Sequence, residues 1–278
     1  MVRSLWSAAT GMNAQQTNVD TISNNLANVN TTGYKAQVAQ FKSLLYQELQ
    51  TVTTTANGAP KPVTSQVGLG TRTSSINQLF KQGSYLSSDN PSALAIGGDG
   101  FFSYLDIDGT TKLYTRNGNF TWALQEDKTT LVLTTAEGNK VLSTQGAQIT
   151  VPGGRVASRI TIDAEGKIFY PDDQGVPQPV NNQQIGLWQF RNREGLERVG
   201  SAAWKKTDAS GDEILENGQG ANNNIKRSEI VQGYLEGSNV NVANEMVNLI
   251  VAQRAYEMNS TAIQTTDEMM QTANSLKR

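Results

Sequence analysis

Two stripes of apolar residues spaced seven apart stand at opposite ends of this chain, with no comparable pattern between them. The first is Leu5, Met12, Val19 and Leu26, flanked by Ala8, Ile22 and Val29. The second is Val242, Leu249, Tyr256, Ile263 and Met270, flanked by Met246, Ile250, Ala255, Ala262 and Met269. A repeat of seven keeps side chains on one face over successive pairs of turns, so each end is predicted to be a long helix with its own seam. One stripe alone would be satisfied by the core of its own domain. Two, at opposite termini, favour the termini pairing as a coiled coil.

The middle reads differently. GFFSYL, TKLYTR, NFTWAL, TTLVLTT, RITID, GKIFY and IGLWQFRN are short β-prone runs separated by DG, NG, EG and GG steps that suit tight hairpins. The expected fold class is therefore α+β, with terminal helices around a β-rich region of short antiparallel strands. Four segments follow: a helical segment and joint at 1–45, an extended Thr/Gly/Pro arm at 46–70, a β-rich region at 71–235 and a C-terminal helix at 236–278.

Composition narrows the chemistry. The chain has 278 residues, is 37% hydrophobic and carries a formal net charge of -2, so it can bury a core but offers no basic stripe for a phosphate backbone. Nucleic acid is not an expected partner. No apolar run is long enough for a membrane helix, and MVRSLWSAATGMNAQQ lacks the apolar core of a secretory signal, so direct membrane insertion is not expected either. Cysteine and histidine are both absent. Disulfides, thiolate nucleophiles, imidazole bases and most zinc sites need those side chains.

The sharpest catalytic candidate is FFSYLDIDGT, where Asp106 and Asp108 match the nucleophile motif of haloacid-dehalogenase-type phosphatases and Asp172 and Asp173 could add magnesium ligands. That chemistry requires a parallel strand feeding a helix. Here Gly109 is followed by TTKLYTRNGNFTW, a second strand and a third, so Asp108-Gly109 reads as a hairpin turn. GGDG at 97–100 lacks the Lys-Ser/Thr of a phosphate loop, and Asn117 stands where a calcium loop needs Glu. Tyr104, Phe120, Trp122, Trp188 and Phe190 fit sheet core better than a sugar platform. Neither a catalytic site nor a cofactor or metal is expected.

The segment SNNLANVNTTGYKA, residues 23–36, crowds Asn24, Asn25, Asn28 and Asn30 into the end of the first helix, although Asn is a mediocre helix former. NNLANVNTTGYK resembles the signature of bacterial flagellar rod and hook proteins, and GYLEGSNVNVANEMVNLIVAQRAYEMNSTAIQTTDEMMQTANSLKR at 233–278 resembles their matching C-terminal segment. LAIGGDGFFSYL with YTRNGNFTW is similar to their central β region. Within the family, the opening RSLW, the length and the arm after LLYQELQ resemble the distal-rod branch, with proximal rod and hook subunits the nearest confusions.

The resemblance implies a non-enzymatic, self-assembling subunit of a helical drive shaft in the basal body. It implies contacts with proximal rod subunits, hook subunits and surrounding ring or bushing proteins, and export by the flagellar type III apparatus without a cleaved signal. A β-headed adhesin on a coiled-coil stalk is the other structural alternative; it is expected to carry a signal and an anchor.

The amides then have a physical reading. In a helical homopolymer each surface charge is repeated on every neighbour, so charged faces in dense contact suffer repulsion and desolvation. From Ser4 to Tyr34 the one charged residue is Asp20. Asn24, Asn25 and Asn28 are expected to bond backbone and adjacent chains. Gly33 is expected to end the helix with positive φ, and Ser238 or Asn241 to cap the returning one. Leu5, Met12, Val19 and Leu26 are expected to face Val242, Leu249, Tyr256 and Ile263, or their equivalents in adjacent copies, with Met246 and Met270 in the same assembly interface.

Overall fold

The structure, a computed structural model, describes residues 2–50, 65–125, 127, 129–172, 174–200, 202–218 and 224–276. It divides into two compact units: 1–27, 37–78 and 241–278 form the first, and 28–36 with 79–240 form the second.

The first unit holds both long helices, α1 (Val2–Ala27) and α2 (Val242–Ser275). Asn241 caps α2, its side chain accepting from the Asn244 N–H at 3.2 Å. The helices run antiparallel: Gly11 meets Asn259, whereas residues 18–22 share a small cavity with residues 245–251. The contact is built from small side chains. A Cβ on Gly11 would come within 2.9 Å of the Asn259 amide, and Ala8 and Ala14 are the buried alanines of α1. Along α2, Ala252 and Thr266 are buried, with Leu249, Asn259, Ile263 and Met270 half-buried on the same face.

Four strands complete this unit. β1 (Gln37–Ser43) pairs antiparallel with β4 (Thr71–Gln78), slipping register at Gln40/Phe41. β2 (Tyr46–Gln50) pairs antiparallel with β3 (Ser65–Gly68). Of the expected arm at 46–70, residues 51–64 lie outside the described residues. Gly70, at φ +106°, brings the β3–β4 turn against Thr10 of α1, whose Oγ1 accepts from the Thr71 N–H at 3.4 Å.

The second unit is built from short antiparallel strands. β5 (Tyr85–Ser87) and β6 (Leu94–Gly97) pair with the last two strands, β20 (Tyr234–Glu236) and β19 (Glu229–Gln232) respectively. β7 (Phe101–Leu105), β8 (Lys112–Thr115), β15 (Leu187–Gln189), β16 (Glu197–Gly200), β17 (Ala203–Lys205) and β18 (Ile214–Leu215) form one sheet in the order β16-β17-β8-β7-β15-β18. β9 (Thr121–Leu124), β10 (Thr130–Thr134) and β11 (Thr150–Pro152) form a meander. So do β12 (Thr161–Ile162), β13 (Lys167–Pro171) and β14 (Pro177–Gln184). Alternation decides the burial: Leu94, Ile96, Phe102, Phe120, Leu133 and Ile185 meet in a main core, and Phe101, Tyr114, Phe190 and Trp204 in an aromatic one on the opposite face of β7. Among the described residues this unit has no α-helix, only 3-10 turns at Ala157–Arg159 and Arg193–Gly195.

Candidate assembly interface

The amide-rich segment is divided between the units. In the first, Asn25 is 1% exposed and paired with both backbone polar groups of one residue: its Nδ2 donates to Gln37 O at 2.7 Å, and Gln37 N donates to its Oδ1 at 2.8 Å. This fastens the start of β1 to the last turn of α1. Asn24 Nδ2 reaches Gln37 Oε1 at 3.4 Å and is otherwise exposed. In the second unit, Asn28 accepts from the Thr31 hydroxyl at 3.1 Å, forming a local turn.

Gly33 does have positive φ, +71°, but α1 has already ended at Ala27. The glycine is needed for close approach instead, because a Cβ there would stand 2.6 Å from the Asn117 nitrogen. Pairing accounts for the early stop: Gly33 N donates to Glu236 O at 2.8 Å, and Ala36 N to Asn239 Oδ1 at 2.7 Å. Gly33 and Ala36 thus direct their backbone N–H groups to residues 236 and 239, while Tyr34 N donates to Thr31 O in a local turn.

A buried ionic clasp lies beneath it. The Glu236 carboxylate accepts from Lys35 Nζ at 2.6 Å, Arg116 Nε at 2.8 Å and Gly83 N at 3.0 Å, and all three charged side chains are inaccessible to solvent. Arg116 Nη2 also donates to Gly98 O, and Lys35 Nζ to Lys81 O. Burial, and then the Arg116 charge, push the Lys35 ammonium down to about 8 against the pull of Glu236. Arg198 lies over the Tyr34 ring at 4.8 Å. Sequence reasoning missed this clasp. Its one signal was that Lys35 is the first basic residue after Arg3.

The helix faces carry the stripe residues. Leu5, Met12, Val19 and Leu26 are half-buried on α1, and Leu249, Ile263 and Met270 on α2. Val242, Met246 and Tyr256 are exposed, together with Val247, Ile250, Val251, Met258 and Met269. The second helix thus buries a narrow stripe and leaves a broad apolar face uncovered.

The catalytic candidate is a turn. β7 and β8 form an antiparallel hairpin in which Asp106 N donates to Thr111 O at 2.9 Å and Gly109, φ +66°, donates to Asp106 O at 2.8 Å. The Asp106 carboxylate accepts from its neighbour's N–H at 2.9 Å. No group of three or more His, Cys, Asp or Glu side chains placed to hold a metal occurs among the described residues, and Asp173 lies outside them. Phe120 and Phe190 are core, and Trp122 and Trp188 pack against it.

Three segments match family models. Residues 5–35 match "Flagella basal body rod protein", 95–170 the D1 domain of "Flagellar hook protein FlgE/F/G", and 231–276 "Flagellar basal body rod FlgEFG protein C-terminal". The chain is 43% identical over 279 aligned residues to the flagellar basal-body rod protein FlgG of Borreliella burgdorferi, covering all of both chains. The chain belongs to the flagellar basal-body rod protein family. Rod proteins named FlgG from Caulobacter vibrioides, 39% identical over 99% of this chain and all of that one, and from Bacillus subtilis, 36% identical over all of both, match as well. A rod protein of this family is a structural component and not an enzyme. The match at 5–35 covers α1 from Leu5 onward and ends at the clasp lysine, and that at 231–276 begins just before the clasp glutamate.

Proposed function

We propose that this rod protein is the subunit of the distal rod. Copies polymerise through α1 and α2 into a helical shaft that transmits torque from motor to hook. The observation that carries the reading is the uncovered face of α2. Met246, Val247, Ile250 and Val251 are each more than half exposed on consecutive turns, an apolar surface that a lone chain pays to hydrate. Packing copies side by side removes it from water.

The antiparallel contact of the helices, with Leu249, Ile263 and Met270 on its seam, supports coiled-coil pairing within each subunit. Leu5, Met12, Val19, Leu26, Asn24, Asn28, Val242, Met246 and Tyr256 then serve contacts with neighbouring copies. Asn25 and Gly33 support the same surface from within the chain. In this reading the protein is exported by the flagellar type III apparatus without signal cleavage and stands outside the cytoplasm in the basal body. It meets proximal rod and hook subunits at its ends and the surrounding ring proteins at its side.

Electron microscopy of basal bodies from a strain lacking the gene tests this. Loss of rods and hooks is expected, with restoration by the wild type and by the Asp106→Asn, Asp108→Asn double variant. Intact rods without the gene would overturn the proposal.

A further inference from the structure

The first unit contains a small cavity of about 160 Å³ formed by α1, β1 and α2. Around its mouth stand Asn18, Glu245 and Asn248, none of whose side chains has a hydrogen-bond or ion-pair partner among the described residues. Glu245 is half-buried there. Glu245 stands in the first turn of α2, where the helix dipole suits a carboxylate, and its oxygens are left for a cation from outside; two amide oxygens beside it widen the set of acceptors. The group that fits such a site is a guanidinium, whose planar fork can give two bonds to the carboxylate and further bonds to the amides.

Among the described cations of the first unit, Arg3, Lys42 and Arg72 have no ion pair, and of these Arg3 alone stands on a helix. Arg3 is exposed, forms no ion pair among the described residues, and stands in the first turn of α1, where the helix dipole disfavours positive charge. Arg3 and Asp20 are the only charges on α1. Arg3 cannot reach the cavity of its own chain, since Arg3 and Thr21 are separated by about 27 Å at 1.5 Å per residue. A neighbour can supply it.

We propose that the cavity receives Arg3 of the next copy of this chain, with the 66%-exposed Trp6 laid against the exposed Val38 and Val251 at its rim, so that copies join head to tail along the helices. The contact uses two different surfaces at opposite ends of α1. It is heterologous and does not close, which is the geometry of a growing filament. The proposal rests on the reading of the chain as a self-assembling subunit.

Charge exchange in a strain lacking the chromosomal copy tests it, with chain levels followed by immunoblot and rods counted in isolated basal bodies. Arg3→Glu and Glu245→Arg singly are expected to abolish rods and motility, and the exchanged double variant to restore them; because Glu245→Arg sets a cation in the first turn of α2, the Glu245→Arg chain and the exchanged chain must match wild type in far-ultraviolet dichroism for the comparison to count. Arg3→Glu places an acid where the helix dipole favours one, so its defect cannot come from a weakened α1. Arg3→Gln, a good helix former that cannot form the ion pair, is expected to assemble fewer rods at unchanged chain level. By the antiparallel register Asp267 stands towards the Arg3 end of the pair and bonds Gln271 at 2.9 Å; Asp267→Asn is expected to change nothing.

Normal rods in Arg3→Glu or Arg3→Gln would overturn the pairing. So would loss in both single variants without rescue in the exchange, or loss of rods in Asp267→Asn, which would mean that Arg3 pairs within its own chain. Rods in the strain with no copy at all would instead remove the assembly reading on which the pairing stands.

Discussion

At the scale of single residues, two buried cations share one carboxylate. Glu236→Gln takes the counter-ion from both cations, leaving Arg116 charged without it in a dry site and driving the Lys35 pKa further down, and the expected cost is about 3–5 kcal/mol of stability in the second unit, read by denaturant unfolding. Lys35 titrates in a definite window. Its folded pKa of about 8 lies below its ordinary 10.5, so between those values the unfolded chain binds more protons than the folded one. Stability contributed by this group therefore rises with pH across about 8 to 10.5 and is flat on either side. Measured against the wild type, Lys35→Met should lack that rise. Gly33→Ala meets both an unfavourable φ and the 116–117 backbone; the φ alone should cost about 1–3 kcal/mol in the same unfolding measurement.

At the scale of elements, the two sides of the terminal helices separate folding from assembly. Asn25→Asp turns a donor facing Gln37 O at 2.7 Å into an acceptor facing an acceptor, so it should open the start of β1 and speed amide exchange at Gln37 even in a lone chain. That variant carries a folding cost of its own and cannot report on assembly alone. Ile250→Asp, on a side chain 56% exposed, should leave unfolding of the purified chain within about 0.5 kcal/mol of wild type yet abolish rods. Equal loss of fold stability would show that this face is covered within one chain.

At the scale of the whole molecule, the second unit closes on itself where the chain leaves it. Leu79 N donates to Ala36 O at 2.8 Å, the bond that closes a β-turn if two residues join those positions. A chain of residues 28–36, Asn-Gly and 79–240 should therefore fold with both cores intact, shown by cooperative unfolding and near-ultraviolet dichroism of the buried Trp204. It lacks both helices and should not enter rods. Failure to fold would mean that Gln37–Gln78 supports the second unit.

Local chemistry was enough to determine the terminal helices, the β-rich middle and the Asp108-Gly109 turn, and to narrow the cap of the second helix to Ser238 or Asn241. Each follows from the spacing or conformational preference of neighbours in the chain. Tertiary structure alone decided that Asn25 is committed to its own chain, that Gly33 serves close packing rather than a helix end, and that Lys35, Arg116 and Glu236 meet. Those outcomes depend on segments 12 to 201 residues apart in the chain being brought to hydrogen-bond distance. Periodicity records which face of an element is apolar, but carries no information about which distant charge is buried opposite.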